Sequence, residues 1–210
     1  MSLVFTGDEF IDGLDYIEKV LDKNNVKSSF FVTGRLLAND DAARTILRLY
    51  NKGHYIGPHS DQHLLYAPWE NRDSLLISKD VFVKDLQDNI DKLTTLGIQN
   101  IDMFIPPYEW YNKQIVNWSK EMGLDVYNYT PGLRTPADYT YPEMNDRYWS
   151  SQKLLDQIKD FENIQQLNGY YILVHLGTDP RRYDKFYHRL DELIKFLRMQ
   201  DYEIVELTKM

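Results

Sequence analysis

Two histidines four residues apart, His59 and His63, are the strongest chemical signal in this chain. Residues at positions i and i+4 share one face of a helical turn, so both imidazoles can reach one metal ion. The segment just before them predicts a short buried strand, and α/β folds place their chemistry beyond the carboxyl ends of strands. Zinc, nickel, cobalt and iron all accept neutral imidazole, so the spacing alone does not name the metal. The alternative is that the pair simply begins a surface helix, since this spacing is common.

Other reactive side chains also follow predicted strands. Asp8 and Glu9 come after the first apolar run, Tyr108 follows the fourth, and His175 ends the sixth. Because the carboxyl ends of parallel strands meet at one face, we expect these residues to converge with the histidine pair. Two histidines and a carboxylate can hold a divalent ion and leave positions for water, and a further histidine titrates near neutral pH. Taken singly, Asp8 could instead be a helix N-terminal carboxylate and His175 a buried histidine bonded to backbone.

Alternating strand and helix patterns must position these residues. We predict strands at residues 3–6, 28–34, 55–57, 103–105, 126–129, 171–175 and 202–205, and helices at 12–25, 40–52, 78–96, 112–122, 151–166 and 183–200. Regular alternation predicts a mostly parallel α/β sheet with helices outside it, open or closed into a barrel. Residues 130–149 carry three prolines and three tyrosines and predict an ordered lid.

Composition narrows the class of protein. The 210 residues are 43% hydrophobic and suit one domain, residues 1–210, with a sizeable core. A net charge of -8 disfavours a nucleic-acid partner, and no apolar run is long enough to span a membrane. The chain has no cysteine and hence no disulfide or thiolate site. Aromatics reach 14%, and tyrosine and tryptophan faces suit sugar rings, although most aromatics fill cores.

Four segments together carry a family resemblance. Residues 59–63 (HSDQH) match the metal-binding pattern H-S/T-x-x-H, and residues 173–175 (LVH) match L-x-L-H. Residues 26–34 (VKSSFFVTG) resemble V-K-A-T-F-F-V-x-G, and residues 106–108 (PPY) resemble R-x-P-Y. The chain thus resembles the polysaccharide deacetylase (NodB homology) family, carbohydrate esterase family 4, over nearly its whole length. The resemblance implies a distorted (β/α)7-8 barrel that removes acetyl groups from N-acetylated sugars or acetylated xylan.

The resemblance also implies roles for particular residues. One divalent ion, zinc with cobalt or nickel as alternatives, would be held by Asp8, His59 and His63. Backbone N–H near Tyr108 would help to hold the oxyanion, and His175 would protonate the leaving amine or alkoxide. Asp8 is our candidate base as well as ligand, with Glu9 as the alternative base.

The family's first and third motifs are altered here. The family's T-F-D-D-G places a base aspartate and a metal aspartate where this chain has Thr6 and Gly7, one residue before Asp8. The arginine of R-x-P-Y, which holds the base aspartate, is Ile105. Losing both together is self-consistent, because a lone buried guanidinium is costly. The family's fourth motif, whose aspartate tunes the acid histidine, has no clear match after Tyr127.

Further candidates surround the predicted site. Four aromatic residues follow strand ends and could stack on a sugar or pack on the rim: Tyr66, Trp69, Trp110 and Tyr111. Tyr108 is a further candidate substrate contact. Asp179 could position substrate or orient His175, and Asp138 is a second candidate partner for that histidine. His54 and His188 lack such a context and are expected to be structural, and the oligomeric state is not predicted.

These residues lead to one favoured function and two alternatives. The favoured function is a metal-dependent carbohydrate deacetylase. The alternatives are a catalytically silent glycan-binding module on the same fold and a related metal-dependent amidase acting on a non-sugar C–N bond. From the substrate class we expect an extracytoplasmic location, periplasmic or secreted. Residues 1–3 lead directly into the first predicted strand, so we expect a targeting segment to have been removed.

Overall fold

Six strands and seven helices alternate in a computed structural model that describes residues 1–209. The strands are β1 (Ser2–Gly7), β2 (Ser29–Val32), β3 (Tyr55–Pro58), β4 (Met103–Phe104), β5 (Asp125–Val126) and β6 (Tyr171–His175). The helices are α1 (Leu14–Asn24), α2 (Gly34–Leu37), α3 (Asp40–Asn51), α4 (Lys79–Leu96), α5 (Lys113–Glu121), α6 (Ser151–Gln165) and α7 (Leu190–Met199). Short 3-10 segments lie at Pro107–Glu109, Thr135–Tyr139, Pro142–Arg147, Phe186–Arg189 and Leu207–Lys209. Among residues 1–209, no helix is long and apolar enough to cross a membrane.

The strands form the wall of a distorted parallel barrel. Four of them make one sheet in the order β3-β2-β1-β6, and β4 pairs with β5 in a second sheet; every pairing is parallel. The Tyr55 hydroxyl links the sheets by accepting the Met103 N–H at 2.8 Å. At the opposite edge of the four-stranded sheet, the Thr130 N–H, in the segment after β5, donates to the carbonyl of Tyr171 in β6 at 3.1 Å. Neighbouring strands therefore follow chain order around the wall, which confirms the predicted fold class.

Strand residues are buried on both faces of the main sheet. Leu3, Phe5 and Phe30 face the helices in the larger apolar core. Val4 and Phe31 face the opposite way, into a smaller cluster inside the wall. Parallel strands covered on both sides need nearly continuous apolar runs, which is why these segments were readable in the sequence.

Helix α4 shows why its ends were predictable. Ser78 is the N-cap, and its hydroxyl accepts the Val81 N–H at 3.3 Å. Gly97 ends the helix at φ 101°, a left-handed conformation that glycine adopts without steric cost. Both ends lie where the capping residues predicted them.

The predicted seventh strand, 202–205, is wrong: residues 202–206 form no regular strand. The Val205 N–H donates to the Met1 carbonyl at 3.0 Å, and the Leu207 N–H donates to Ser29 Oγ at 3.0 Å. Both edges of β1 are already occupied by β2 and β6, so this segment, which meets β1 at Met1, has no free edge of that strand to pair with. It crosses the amino ends of the strands instead. The predicted helix 183–200 is also too long, since α7 begins at Leu190 after a 3-10 turn.

The 130–149 segment is ordered by a buried arginine. Arg182 is fully buried, and its guanidinium donates to the carbonyls of Thr140 and Trp149 and to Ser151 Oγ. These bonds tie both the middle and the end of the segment to the loop after β6. Two 3-10 helices shape the remainder, Thr135–Tyr139 and Pro142–Arg147.

Candidate active site

The carboxyl ends of the strands open into one cavity of about 850 Å³. Its lining includes Asp8 after β1, His59 and His63 after β3, and His175 at the end of β6. The ends of these strands therefore converge on one cavity, as predicted. The 130–149 segment contributes one wall of the cavity.

The histidine pair lies on a loop, so the predicted helical turn is wrong. Ser60 and His63 have φ of 69° and 55°, outside the helical range. The loop carbonyls of Ser60 and Asp61 accept the first N–H groups of α2, from Gly34 and Arg35, at 3.2 and 3.1 Å. Those carbonyls therefore accept hydrogen bonds from α2 and are not available for hydrogen bonds of a helix at residues 59–63. The two imidazole centroids nevertheless lie 5.1 Å apart.

Polar residues on the buried face of α4 hold this loop in place. Asn89 Oδ1 accepts the His59 N–H at 3.1 Å, and Asp85 Oδ1 accepts the Gln62 N–H at 2.9 Å. Asp61 is buried and ion-paired with Lys92 at 2.6 Å. Sequence analysis did not single out these supports. The available signal was an aspartate and an asparagine four residues apart on the apolar face of an amphipathic helix.

Both imidazoles are held in their neutral form. His59 Nδ1 lies 2.7 Å from the Ile105 carbonyl oxygen, so Nδ1 carries the proton and donates it, and Nε2 is left with a free lone pair. Burial lowers the pKa of His59 to about 3 and the pKa of His63 to about 4. Neutral imidazole is the form that binds metal ions.

Asp8 is clamped by residues of the second strand's end. Its Oδ1 accepts from Thr33 Oγ1 and Arg35 Nε, each at 2.9 Å, and its Oδ2 is ion-paired with the same guanidinium. His63 Nδ1 lies 3.8 Å from Oδ2. Burial alone would raise the pKa of Asp8, but these hydrogen bonds and charges outweigh it and hold the pKa below its usual value. Glu9, the alternative base, is exposed on the cavity rim.

His175 is oriented by Asp138. The carboxylate accepts from His175 Nδ1 at 2.5 Å and from the His175 backbone N–H at 3.0 Å. Burial lowers the affinity of this imidazole for a proton, but the adjacent carboxylate outweighs that effect and raises the pKa of His175. Asp179 does not orient the histidine, because its carboxylate is paired with Arg181 Nε at 2.9 Å. It lines the cavity and stays a predicted substrate contact.

Glu109 is the site residue that sequence analysis missed. Its carboxyl Oε1 lies 4.0 Å from His59 Nε2, and the side chain is only 11% exposed. Burial raises the pKa of Glu109 to about 7. Tyr108 and Glu109 both have left-handed backbones, with φ of 61° and 54°. The only signal in the sequence was an acidic residue directly after the Pro-Pro-Tyr segment.

Only some of the aromatic residues predicted to bind sugar line the cavity. Tyr108 is 45% exposed, lines the cavity and packs on His63 with ring centroids 4.4 Å apart. Trp69 is 54% exposed and also lines the cavity. Trp110 is not part of the cavity lining, and its ring centroid lies 5.5 Å from that of Trp69. Tyr66 is fully buried in the core beneath α4, so its predicted role as a substrate contact is wrong.

Three side chains at the strand ends offer donor atoms of the kind that a divalent ion binds. His59 presents an unprotonated Nε2, and His63 and Asp8 lie 3.8 Å apart, so these donors fit a metal chemically. Within the part of the chain that the structure describes, however, no three histidine or acidic side chains surround a common point. Arg35 accounts for this on the Asp8 side, because it engages both carboxylate oxygens.

Comparison with known proteins identifies the family. The family model described as polysaccharide deacetylase matches residues 6–127, more than half of the chain. No curated protein matches the chain in sequence.

Solved structures with the same fold include active and inactive proteins. A carbohydrate esterase family 4 pseudoenzyme from Bacillus anthracis, BA3943, aligns with a TM-score of 0.73 at 18% identity, covering 99% of this chain and 64% of its own. PdaA, a family 4 carbohydrate esterase from Bacillus subtilis, aligns at 0.75 and 21% identity, covering 99% and 78%. The peptidoglycan N-acetylglucosamine deacetylase Bc1960 aligns at 0.76 and 19%, covering 100% and 87%. This chain thus spans slightly less than two thirds of the pseudoenzyme's length.

Proposed function

The chain belongs to the polysaccharide deacetylase family, and we propose that it is a metal-dependent hydrolase that removes acetyl groups from a carbohydrate. The acetyl group would be an N-acetyl amide or an O-acetyl ester. One observation carries the proposal: the His59/His63 pair and the His175–Asp138 pair face the same cavity. With a cell-wall or extracellular glycan as substrate, we expect an extracytoplasmic location.

Asp8, His59 and His63 are the proposed holders of one divalent ion, with zinc expected. Such an ion supplies Lewis acidity, which polarises the acetyl carbonyl and makes water a stronger acid. The bond from His59 Nδ1 to the Ile105 carbonyl fixes the ring and raises the basicity of Nε2. Asp8 would have to release Arg35 on at least one side to join the two imidazoles.

The remaining residues handle the leaving group and the substrate. Since Asp138 holds Nδ1–H of His175, the second ring nitrogen is the one that can give a proton to the leaving amine or alkoxide. The backbone N–H near Tyr108 is the proposed donor to the oxyanion. The exposed rings of Tyr108 and Trp69 offer flat apolar faces to a sugar.

Acetate release by metal-loaded protein tests the proposal. Acetylated xylan, N-acetylglucosamine oligomers and an aryl acetate would be compared, with metal-stripped protein and His59→Ala as inactive controls. His188→Gln is the matched histidine control, because His188 is exposed and packs on Tyr16, away from the cavity lining. Release that needs metal and His59 but not His188 supports the proposal. No release on any substrate from metal-loaded protein contradicts it.

A catalytically silent glycan-binding module is the second candidate. Thr6 and Ile105 stand where the family carries its base aspartate and the arginine that holds it. One protein of similar fold is described as a pseudoenzyme, and a mutant of it as having restored enzymatic activity. Saturable binding of acetylated oligosaccharides without acetate release is the result that favours this alternative.

A further inference from the structure

We infer that Glu109 is the general base of the proposed reaction, the carboxylate that takes a proton from the attacking water. The inference rests on the proposed function and assigns the one role that the altered first motif leaves open. Three observations carry it: the state of the other candidate bases, the surroundings of the Glu109 carboxyl, and the backbone that presents it.

The other candidates are poorly suited to accept a proton. Thr6 lies where the family resemblance puts the base, but its hydroxyl is not a base; Oγ1 is buried and has no hydrogen-bond partner among the described residues. Both oxygens of Asp8 are engaged by Arg35, and a carboxylate held by a guanidinium is a weakened proton acceptor. Glu9 is exposed at the rim.

The Glu109 carboxyl lies close to the proposed metal site and has free lone pairs. Oε1 lies 4.0 Å from His59 Nε2, which puts it beside the proposed ion, and it lines the same cavity as His175. Apart from this approach to His59, the carboxyl makes no hydrogen bond or ion pair with residues 1–209. A carboxylate that is mostly buried and has no partner is costly to keep, so its retention in the cavity points to a chemical task.

The backbone at Tyr108 and Glu109 is strained, and this strained conformation places the Glu109 side chain in the cavity. Tyr108 and Glu109 are consecutive left-handed residues, a conformation that hinders any residue with a Cβ. The Glu109 N–H donates to the Pro106 carbonyl at 3.0 Å, and Asn128 Nδ2 donates to the Glu109 carbonyl at 3.1 Å. Backbone strain that surrounding hydrogen bonds hold in the wall of a cavity is typical of functional residues.

In the proposed step, Glu109 takes one proton and His175 gives one. As the water oxygen bonds to the acetyl carbonyl carbon, a water proton passes to a Glu109 carboxylate oxygen. On collapse, the bond from the carbonyl carbon to the sugar nitrogen or oxygen breaks, and the leaving atom takes the proton of His175. Acetic acid, which carries the second water proton and loses it to solvent to become acetate, leaves with the free amine or alcohol. Glu109 then releases its proton to solvent, and His175 regains one.

The test compares Glu109→Gln with wild type by kcat, KM and bound zinc per chain. We expect kcat to fall by at least about 100-fold with KM and zinc content unchanged. Glu109→Gly is the second variant, because glycine accepts the left-handed backbone and leaves space for a small acid. Added formate is expected to restore part of its kcat. Asp201→Gly is the matched control, an exposed left-handed residue outside the cavity lining, and should keep wild-type kcat.

The outcomes separate this inference from the proposed function. A wild-type protein that releases no acetate overturns the proposed function and the base assignment with it. Wild-type activity with Glu109→Gln within tenfold overturns the base assignment alone. Loss of zinc from Glu109→Gln also overturns it, because the residue would then be a ligand. A 100-fold loss in Glu9→Gln beside an active Glu109→Gln would assign the base to Glu9.

Discussion

Replacing Glu109 by glycine is expected to make the protein slightly more stable while removing its activity. The change relieves a left-handed backbone, a gain of about 1–2 kcal/mol, and removes a buried carboxyl without a partner, a gain of about 1–3 kcal/mol. Against this stand the extra chain entropy of glycine, about 0.5–1 kcal/mol, and two buried methylenes, about 1.6 kcal/mol. Central values leave a net gain of about 1 kcal/mol in the free energy of unfolding. For a chain of this size that raises Tm by about 2–4 °C.

Thermal and urea unfolding of the metal-free protein measure this difference. Asp201→Gly relieves the same kind of backbone strain at an exposed site, φ 61°, without removing a buried carboxyl. Glu109→Gln removes the charge but keeps the strain. The glycine variant at 109 should therefore be the most stable of the three. A loss of more than about 1 kcal/mol in Glu109→Gly would refute the reasoning, because the side chain would then be a packing element and not a strained functional group.

Three further changes probe other parts of the site. Asp138→Asn removes the charge that raises the pKa of His175, so the alkaline limb of kcat should move to lower pH; an unmoved limb would show that His175 is not the acid. Arg35→Met should tighten zinc binding by about three- to tenfold in calorimetry of metal-free protein, because the guanidinium competes for the Asp8 carboxylate; equal affinity in both proteins would exclude that competition. Trp69→Ala should raise KM for oligosaccharides by about two- to tenfold and leave kcat within twofold; an unchanged KM would remove Trp69 from the sugar site.

The strands and most helices were predictable because their signals are local. β6 coincides with its predicted range, since a short run of apolar residues favours a strand that is buried on both faces. α4 was bounded by its serine cap and its glycine. The segment 202–205 has strand-like residues, but the strand it reaches, β1, already has both edges paired, and pairing is a property of the whole sheet.

The site was predictable to the level of strand ends, and its finer geometry was not. Nearness in sequence favoured Asp179 as the partner of His175, whereas the 130–149 segment folds back and delivers Asp138 from 37 residues away. Whether Tyr66 faces sugar or core depends on where α4 packs. Glu109 carries no motif, because its role follows from two left-handed residues that sequence patterns do not reveal.

The meeting of the chain's two ends has a consequence for tethering. Met1 and residues 203–207 lie together at the amino ends of the strands, opposite to the cavity. A linker continuing past Leu207 would leave from the rear of the molecule, so protein immobilised that way would point its cavity at a polymer in solution. A linker before Met1 would leave from the same side, and the Met1 nitrogen, as an amide N–H, could still donate to the Glu203 carbonyl oxygen, which lies 3.0 Å away. Immobilisation through either end therefore leaves the cavity facing away from the support.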